Sequence, residues 1–453
     1  MQDVELLMPA GNLEKLEYAV KYGADAVYLG VVDFSLRAMR KGSLITTDNL
    51  KQAVDLAHSL GAKAYVTINI FAFNNDIKQL ESCLDRFKDA NPDAFIISDY
   101  GIFNLIRKKI PDIPVHISTQ TNTLNYESVK FWRDLGASRV ILARELPIED
   151  IAEIRKNVPD IELECFVHGA QCVSFSGRCL LSDYFSKGER KANHGNCSQP
   201  CRWSYKLVEE TRPNEFLEIN QDGRGSHILS PKDLCLIKQL PQLIDAGVNS
   251  FKVEGRTKSL YYVSAVAKTY RHAIDEVLEN PFADMEKYYQ ELLKVGNRGY
   301  TTGFALGNNN GDSYSYDISK GLAGADFLCE FKSETDLSSY RPITLSPEYY
   351  LVKIKNKMHI NDEVEIITPK EQFKVTVENI KDENGEDLEI GNTNDDVFIK
   401  FSKAPEDYKY AIARTVGIKN PMTLKKPPHP SPLTLGEGAD VSELANVTSA
   451  GEG

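Results

Sequence analysis

From residue 4 to about residue 255, short runs of apolar residues alternate with longer stretches in which apolar positions recur at helical spacing. The runs stand at about 4–8, 25–30, 62–69, 94–98, 114–118, 138–143, 161–168 and 250–255. Between most of them lie amphipathic segments such as Leu13–Tyr22, Leu50–Leu60, Ile77–Lys88 and Ile148–Val158. Repeated β-branched runs separated by helices of this length predict βα units and a parallel sheet. Eight such strands point to closure into a (β/α)8, TIM-like barrel. An open doubly wound sheet is the alternative, but no GxGxxG loop follows the first strand.

The alternation fails between Gly169 and about Ser230. That insert of about 169–230 carries a cysteine-bearing loop and then polar stretches at 211–215 and 220–225, which predict a β-hairpin. It follows the seventh strand, at the end where barrel enzymes place their chemistry. A helix-rich piece from Tyr261 to about Val295 closes the barrel region. Beyond about Ser333 the pattern changes to short alternating strands at 349–355, 363–368, 372–380 and 396–401, the pattern of a small antiparallel β-barrel. From Lys425 the chain turns Pro-, Gly-, Glu- and Ser-rich, the composition of a disordered tail. The expected domains are therefore a catalytic barrel over 1–332, a β-barrel domain over 333–424 and a tail over 425–453.

Four of the eight cysteines, Cys172, Cys179, Cys197 and Cys201, fall at spacings of x6, x17 and x3. The start of the chain shows no basic segment, apolar core or cleavage site of a leader, and no apolar run spans a membrane, so a cytoplasmic protein with reduced thiols is expected. Reduced thiols gathered this way point to metal, either a structural zinc or an iron–sulfur cluster. The net charge of −12 argues against a general nucleic-acid binder. Locally the balance reverses: Lys187, Arg190, Lys191, Arg202 and Lys206 face only Glu189, with His194, Trp203 and Tyr205 interleaved. Such a stretch suits a phosphate backbone and a stacked base.

Barrel strands deliver their last residues to the catalytic rim. Those residues are Asn69, Ser98 with Asp99, His116 with Ser118 and Gln120, Asn122, Arg144 with Glu145, Glu164 with His168, and Lys252, Glu254 and Arg256. Arg144, Lys252 and Arg256 are of the type that holds a carboxylate or phosphate. Asn69, Gln120, Asn122 and Glu254 complete the expected substrate-binding set. His168, four residues before Cys172, is the first candidate for proton transfer, with Glu164 and His116 beside it. Ser174, Ser176 and Ser182 lack the GxSxG elbow of a serine hydrolase.

The run 164–182, GluCysPheValHisGlyAlaGlnCysValSerPheSerGlyArgCysLeuLeuSer, resembles the signature of the collagenase-like peptidase family U-32. Glu164, Phe166, Gly169, Ala170, Cys172, Gly177, Cys179, Leu181 and Ser182 match, while Gln171 stands where the pattern wants an aliphatic residue. The segments 7–14, 23–30, 34–38, 116–122, 252–259 and 297–304 are similar to a branch of that family that hydroxylates tRNA and carries a small C-terminal β-domain. The resemblance implies formation of 5-hydroxyuridine at the anticodon wobble position, with tRNA as the partner. It implies a 4Fe-4S cluster on Cys172, Cys179, Cys197 and Cys201, with Cys235, expected on a helix, in reserve. It also implies prephenate, a small dicarboxylate, as co-substrate. Spacings of x6, x17 and x3 around glycine-bearing loops agree better with such a cluster than with a zinc knuckle built on CxxC pairs. Two other readings compete: a peptidase, as the family name says, and a non-catalytic iron–sulfur scaffold in an RNA-modification complex.

Overall fold

The structure is a computed structural model that describes residues 4–32, 34–35, 45–172, 174, 179, 181–186, 197–202, 221–222, 225–226, 231–307, 324–332, 348–403, 405 and 407–417. Strands β1 (Glu5–Ala10), β2 (Ala26–Gly30), β3 (Lys63–Ile68), β4 (Ala94–Ile97), β5 (Val115–Ile117), β6 (Arg139–Ile141) and β7 (Glu162–Ala170) pair in parallel with their neighbours in chain order. After the insert, with β8 (Gln221–Asp222), β9 (Gly225–Ser226) and β10 (Asp233–Cys235), comes β11 (Ser250–Val253). It pairs with both β1 and β7, so among the described residues eight parallel strands close into a barrel. The described part of the expected hairpin is the short antiparallel pair β8–β9; residues 211–215, the basic stretch 187–196 and the tail 425–453 lie outside the described residues.

Helices α1 (Leu13–Lys21), α2 (Leu50–Ser59), α3 (Asn74–Ala90), α4 (Tyr100–Lys109), α5 (Tyr126–Asp134) and α6 (Ile148–Asn157) follow successive strands, short α7 (Leu181–Phe185) lies in the insert, and α8 (Leu240–Asp245) leads into β11. Several start on side-chain caps placed just beyond a strand: Asn12 accepts from Lys15 N, Asp99 from Ile102 N and Asn125 from Ser128 N, at 2.8–2.9 Å. Each cap satisfies an amide that the first helical turn leaves without a partner. The strand positions that face outward are apolar because helices cover the barrel outside; Leu6, Val27, Val66, Val115, Val140 and Leu163 are fully buried.

Helix α9 (Leu260–Glu279) is buried over most of its circumference, and α10 (Glu286–Leu292) follows it. The reason lies in a second domain packed on its far side. Strands β13 (Phe327–Phe331), β14 (Tyr349–Ile354), β16 (Glu363–Ile367), β17 (Gln372–Lys381), β20 (Asp396–Phe401) and β21 (Ile412–Thr415) form an antiparallel barrel, six strands among the described residues, closed by β16 pairing with β17. Short β15 (Met358–His359), β18 (Asp387–Leu388) and β19 (Ile390–Gly391) decorate it, and β12 (Tyr300–Thr301) extends the first sheet beyond β10. This domain takes its first strand from Phe327–Phe331, ahead of the boundary expected at 333.

The two barrels are joined by specific polar contacts. Arg414, fully buried on β21, pairs with Glu365 at 2.7 Å and with Glu291 of α10, and donates to Tyr261 Oη at 3.1 Å. Lys268 of α9 donates to the carbonyls of Thr368 and Glu371 at 2.7 and 2.9 Å, and Tyr22, just past the end of α1, donates to those of Ile367 and Tyr410. No helix among the described residues is long and apolar enough to cross a membrane.

Candidate active site

The C-terminal ends of the strands build a polar mouth. Asn69 follows β3, Ser98 follows β4, Gln120 and Asn122 follow β5, Arg144 follows β6 and Glu254 follows β11. Gln120 Oε1 accepts from Ser98 Oγ at 3.4 Å and from Ser118 Oγ. Asn122 adopts the left-handed conformation with φ 55°, which Asn tolerates better than most residues. Its Oδ1 is buried and accepts no hydrogen bond among the described residues. Arg144 holds its Cζ over the Phe166 ring, 3.8 Å from the centroid, with Nη2 3.5 Å from Glu254 Oε2. Stacking holds the guanidinium plane while leaving it partly exposed, the pose that suits bidentate recognition of a carboxylate or phosphate.

Below the mouth the barrel axis is charged, where such barrels usually stack aliphatic layers. Glu164 is fully buried and joins Lys252 Nζ at 2.7 Å to Arg139 Nη1 at 3.0 Å. Arg139 continues to Glu5 at 2.6 Å and Glu162 at 2.8 Å, and Tyr65 and Ser250 also donate to Glu5. Lys252 sits against the ring of Tyr28 at 4.7 Å and that of Phe166 at 5.4 Å. The expectation that Glu164 and Lys252 stand at the rim is therefore corrected: both are sealed beneath Phe166, each occupied by the other. His116 is likewise interior, its ring 4.7 Å from Tyr65, and burial with Arg139 and Lys252 nearby holds it well below the usual imidazole range. It is a neutral group within the barrel rather than a base at the mouth.

Arg256 is corrected in the same way. Its Nη1 donates to Ser35 Oγ at 2.5 Å and to Thr67 Oγ1 at 3.2 Å, so it ties the exit of β2 to β3. Gly30 permits this, because a Cβ there would stand 1.9 Å from Arg256 Nη1. His168 turns away from the mouth altogether. A register shift between β7 and β11 places it against Tyr262 and Tyr270 of α9 and Tyr300 of β12, with ring centroids 5.3–5.9 Å away. Tyr270 Oη lies 3.3 Å from His168 Nδ1 and donates to Val167 O at 2.9 Å. Burial lowers the imidazole to about 3, so His168 packs as a neutral group between barrel and helix. The following Gly169, at φ 105°, has no room for a side chain because Glu254 O would lie 2.3 Å from its Cβ.

The cysteines divide by exposure. Cys172 and Cys197 are exposed and Cys179 and Cys201 partly so, whereas Cys165, Cys235 and Cys329 are buried; none of the eight forms a disulfide. Cys235 lies on strand β10, opposite His168, rather than on the expected helix, and burial pushes its thiol up to about 11. Cys179 Sγ accepts from Leu181 N at 3.4 Å and Cys197 Sγ from Gln199 N at 3.3 Å. Ser182 Oγ accepts from Ser198 N at 2.8 Å, which joins the segment after Cys179 to the one that begins at Cys197. Amide donors aimed at sulfur are a recurring support of cluster-bound thiolates, and four accessible thiols fit an iron–sulfur cluster as donors. Among the described residues no three His, Cys, Asp or Glu side chains already gather as a metal cage.

Arg139, Phe166 and Tyr28 also shape the site, although none stands among the expected rim residues. Arg139 opens a strand, away from the rim, and Phe166 and Tyr28 look like ordinary apolar strand positions; only closure of the barrel brings them under Arg144 and Lys252.

Comparison with known proteins agrees with this architecture. The model of peptidase family U32 matches residues 11–315, and that of the peptidase family U32 C-terminal domain matches residues 337–414. A protein of Haemophilus influenzae named tRNA hydroxylation protein P is 36% identical over 446 residues, covering 89% of this chain and 94% of its own. The Escherichia coli protein of the same name is 36% identical over 428 residues, covering 85% and 91%. A second Escherichia coli protein, 23S rRNA 5-hydroxycytidine C2501 synthase, is 33% identical over 75% of this chain and 51% of its own. With both family models matched in order, the chain belongs to peptidase family U32.

Proposed function

We propose that the protein is an RNA hydroxylase that forms 5-hydroxyuridine at the wobble uridine of tRNA, using a 4Fe-4S cluster and prephenate. The observation that carries the reading is the likeness to tRNA hydroxylation proteins over nearly the whole chain, joined to a mouth of amide and guanidinium groups. Relatives that act on tRNA uridine and on rRNA cytidine share one chemistry, hydroxylation of a pyrimidine. Replacing the C5 hydrogen of uracil with hydroxyl is a two-electron oxidation, so the site must bring together a base, an oxygen donor and an electron acceptor.

Cys172, Cys179, Cys197 and Cys201 would hold the cluster, on the segment that leaves β7 at the mouth. When bound, the cluster supplies the redox or Lewis-acid chemistry that amino-acid side chains lack. Arg144, fixed by Phe166 and partly exposed, binds a carboxylate of the dicarboxylic co-substrate. Gln120, oriented by its serine donors, and Asn122 bind the polar edge of the base. Lys252 and Glu164 set the field beneath without touching substrate.

Deletion of the coding gene, followed by mass spectrometry of tRNA nucleosides, tests the proposal: derivatives of 5-hydroxyuridine fall in the deletion strain and return with the wild-type chain. Unchanged levels in a strain that lacks every other gene of the family contradict it. Nothing in the described residues favours the peptidase reading, since both candidate histidines are enclosed away from the mouth.

A further inference from the structure

Two large aromatic side chains stand out beside the mouth. Phe73 is 60% exposed and Tyr100 is 61% exposed, while most large apolar groups of the barrel are buried. Phe73 caps the start of α3, four residues after Asn69, and Tyr100 opens α4, two residues after Ser98. The two loops are tied together by Asp99, whose Oδ2 accepts from Ala72 N at 3.3 Å while Oδ1 caps Ile102 N at 2.9 Å. Tyr100 is also held from behind. Its ring stacks on buried Trp132 with centroids 5.3 Å apart and an angle of 18°, and Phe103 packs edge-on against the same indole. An exposed aromatic that is already immobilised loses little freedom when it gains a second stacking partner.

We propose that Phe73 and Tyr100 form a shelf on which unpaired bases next to the target nucleotide stack when that nucleotide enters the barrel mouth. The inference rests on the RNA reading given above and names the surface that grips the loop. Three observations choose the occupant. The shelf is aromatic rather than aliphatic, and every nucleobase offers a π-face. Acidic side chains brace both loops, Asp76 accepting from Phe73 N at 2.8 Å and Asp99 from Ala72 N at 3.3 Å, so the surface suits a base face better than a phosphate. The β-domain is a poor alternative grip: over 348–403 it carries eight lysines and no arginine against thirteen acidic residues. A base drawn out of a loop also leaves neighbours that have lost a stacking partner, and the shelf residues stand on the loops that leave Asn69 and Ser98 at the mouth.

The test is binding of a fluorescent anticodon stem-loop RNA to the full-length protein, for wild type, Phe73→Ala, Tyr100→Ala and Tyr100→Trp. A parallel set uses the same loop with abasic sites on either side of the target uridine. Base–aromatic stacking of ordinary strength predicts binding about tenfold weaker for each alanine variant, with Tyr100→Trp retaining wild-type affinity. Abasic loops should bind wild type about as weakly as the intact loop binds the double variant Phe73→Ala/Tyr100→Ala, and that double variant should no longer distinguish the two loops. Wild-type affinity in both alanine variants overturns the shelf. So does wild type binding intact and abasic loops equally, which leaves the RNA reading standing. Failure of wild type to bind any stem-loop overturns the RNA reading, and the shelf with it.

Discussion

Lys252 Nζ lies 2.7 Å from Glu164 Oε1, and both side chains are closed off from solvent inside the barrel. Glu164 uses its other oxygen on Arg139, so one carboxylate bridges cations from β6 and β11, with Glu5 and Glu162 also on Arg139. Removing a single partner of such a group strands charge in a medium that solvates it poorly. Glu164→Gln is therefore expected to destabilise the fold by about 3–5 kcal/mol in urea unfolding. A loss below about 1 kcal/mol, the scale of an exposed pair, would show that water reaches the axis.

His168 gives a pH prediction with a defined sign. Its folded value of about 3 lies below the ordinary 6.5, so the unfolded chain binds more protons between those two values. Its contribution to stability is full above pH 6.5 and is lost as the pH falls toward 3. His116, also lowered, acts in the same direction. The urea midpoint of His168→Phe should fall less steeply than that of wild type on acidification through this window. Identical slopes would mean that the imidazole charges without leaving its place among Tyr262, Tyr270 and Tyr300.

Strand positions were legible in the sequence because short, mostly apolar runs such as Ala26–Gly30 and Lys63–Ile68, too short for a helix and set between amphipathic segments, admit few other structures. What escaped was depth and direction. Alternation along β7 puts Glu162, Glu164 and Phe166 on the inner face, but it cannot say that the strand runs on to Ala170 and so leaves Glu164 well below the rim. The shift that turns His168 outward depends on the register of β11, more than eighty residues later. Arg414 is the counterpart in the second barrel: in IleAlaArgThr it looks like a surface residue, yet it is fully buried between the domains.

Arg414 also fixes how the two barrels unfold. It holds Glu365 of its own domain and Glu291 and Tyr261 of the first. Arg414→Met leaves those carboxylates facing each other at the junction and should cost about 3 kcal/mol. Calorimetry should then show the β-domain melting ahead of the main barrel. A single transition at the wild-type temperature would contradict the junction described.

Arg144 separates substrate binding from folding. Its stacking on Phe166 and partial exposure mean that Arg144→Ala removes a charge-assisted contact without opening the core. The half-saturating concentration of prephenate should rise about tenfold or more, while the affinity for tRNA changes little. Arg144→Lys should recover only part of the loss, because an ammonium lacks the planar fork. Unchanged dependence on prephenate would remove Arg144 from the site.

The central claim meets its most direct test in one reaction. Purified protein, loaded with iron and sulfide without air, is incubated with prephenate and tRNA from the deletion strain, with dioxygen then admitted to one arm and an artificial two-electron acceptor added to the other, and the anticodon fragment is weighed by mass spectrometry. The wobble uridine should gain one oxygen atom with the wild-type chain and none with Cys172→Ser. An unmodified uridine in both arms from cluster-loaded wild-type protein, or equal modification by Cys172→Ser, would contradict the claim.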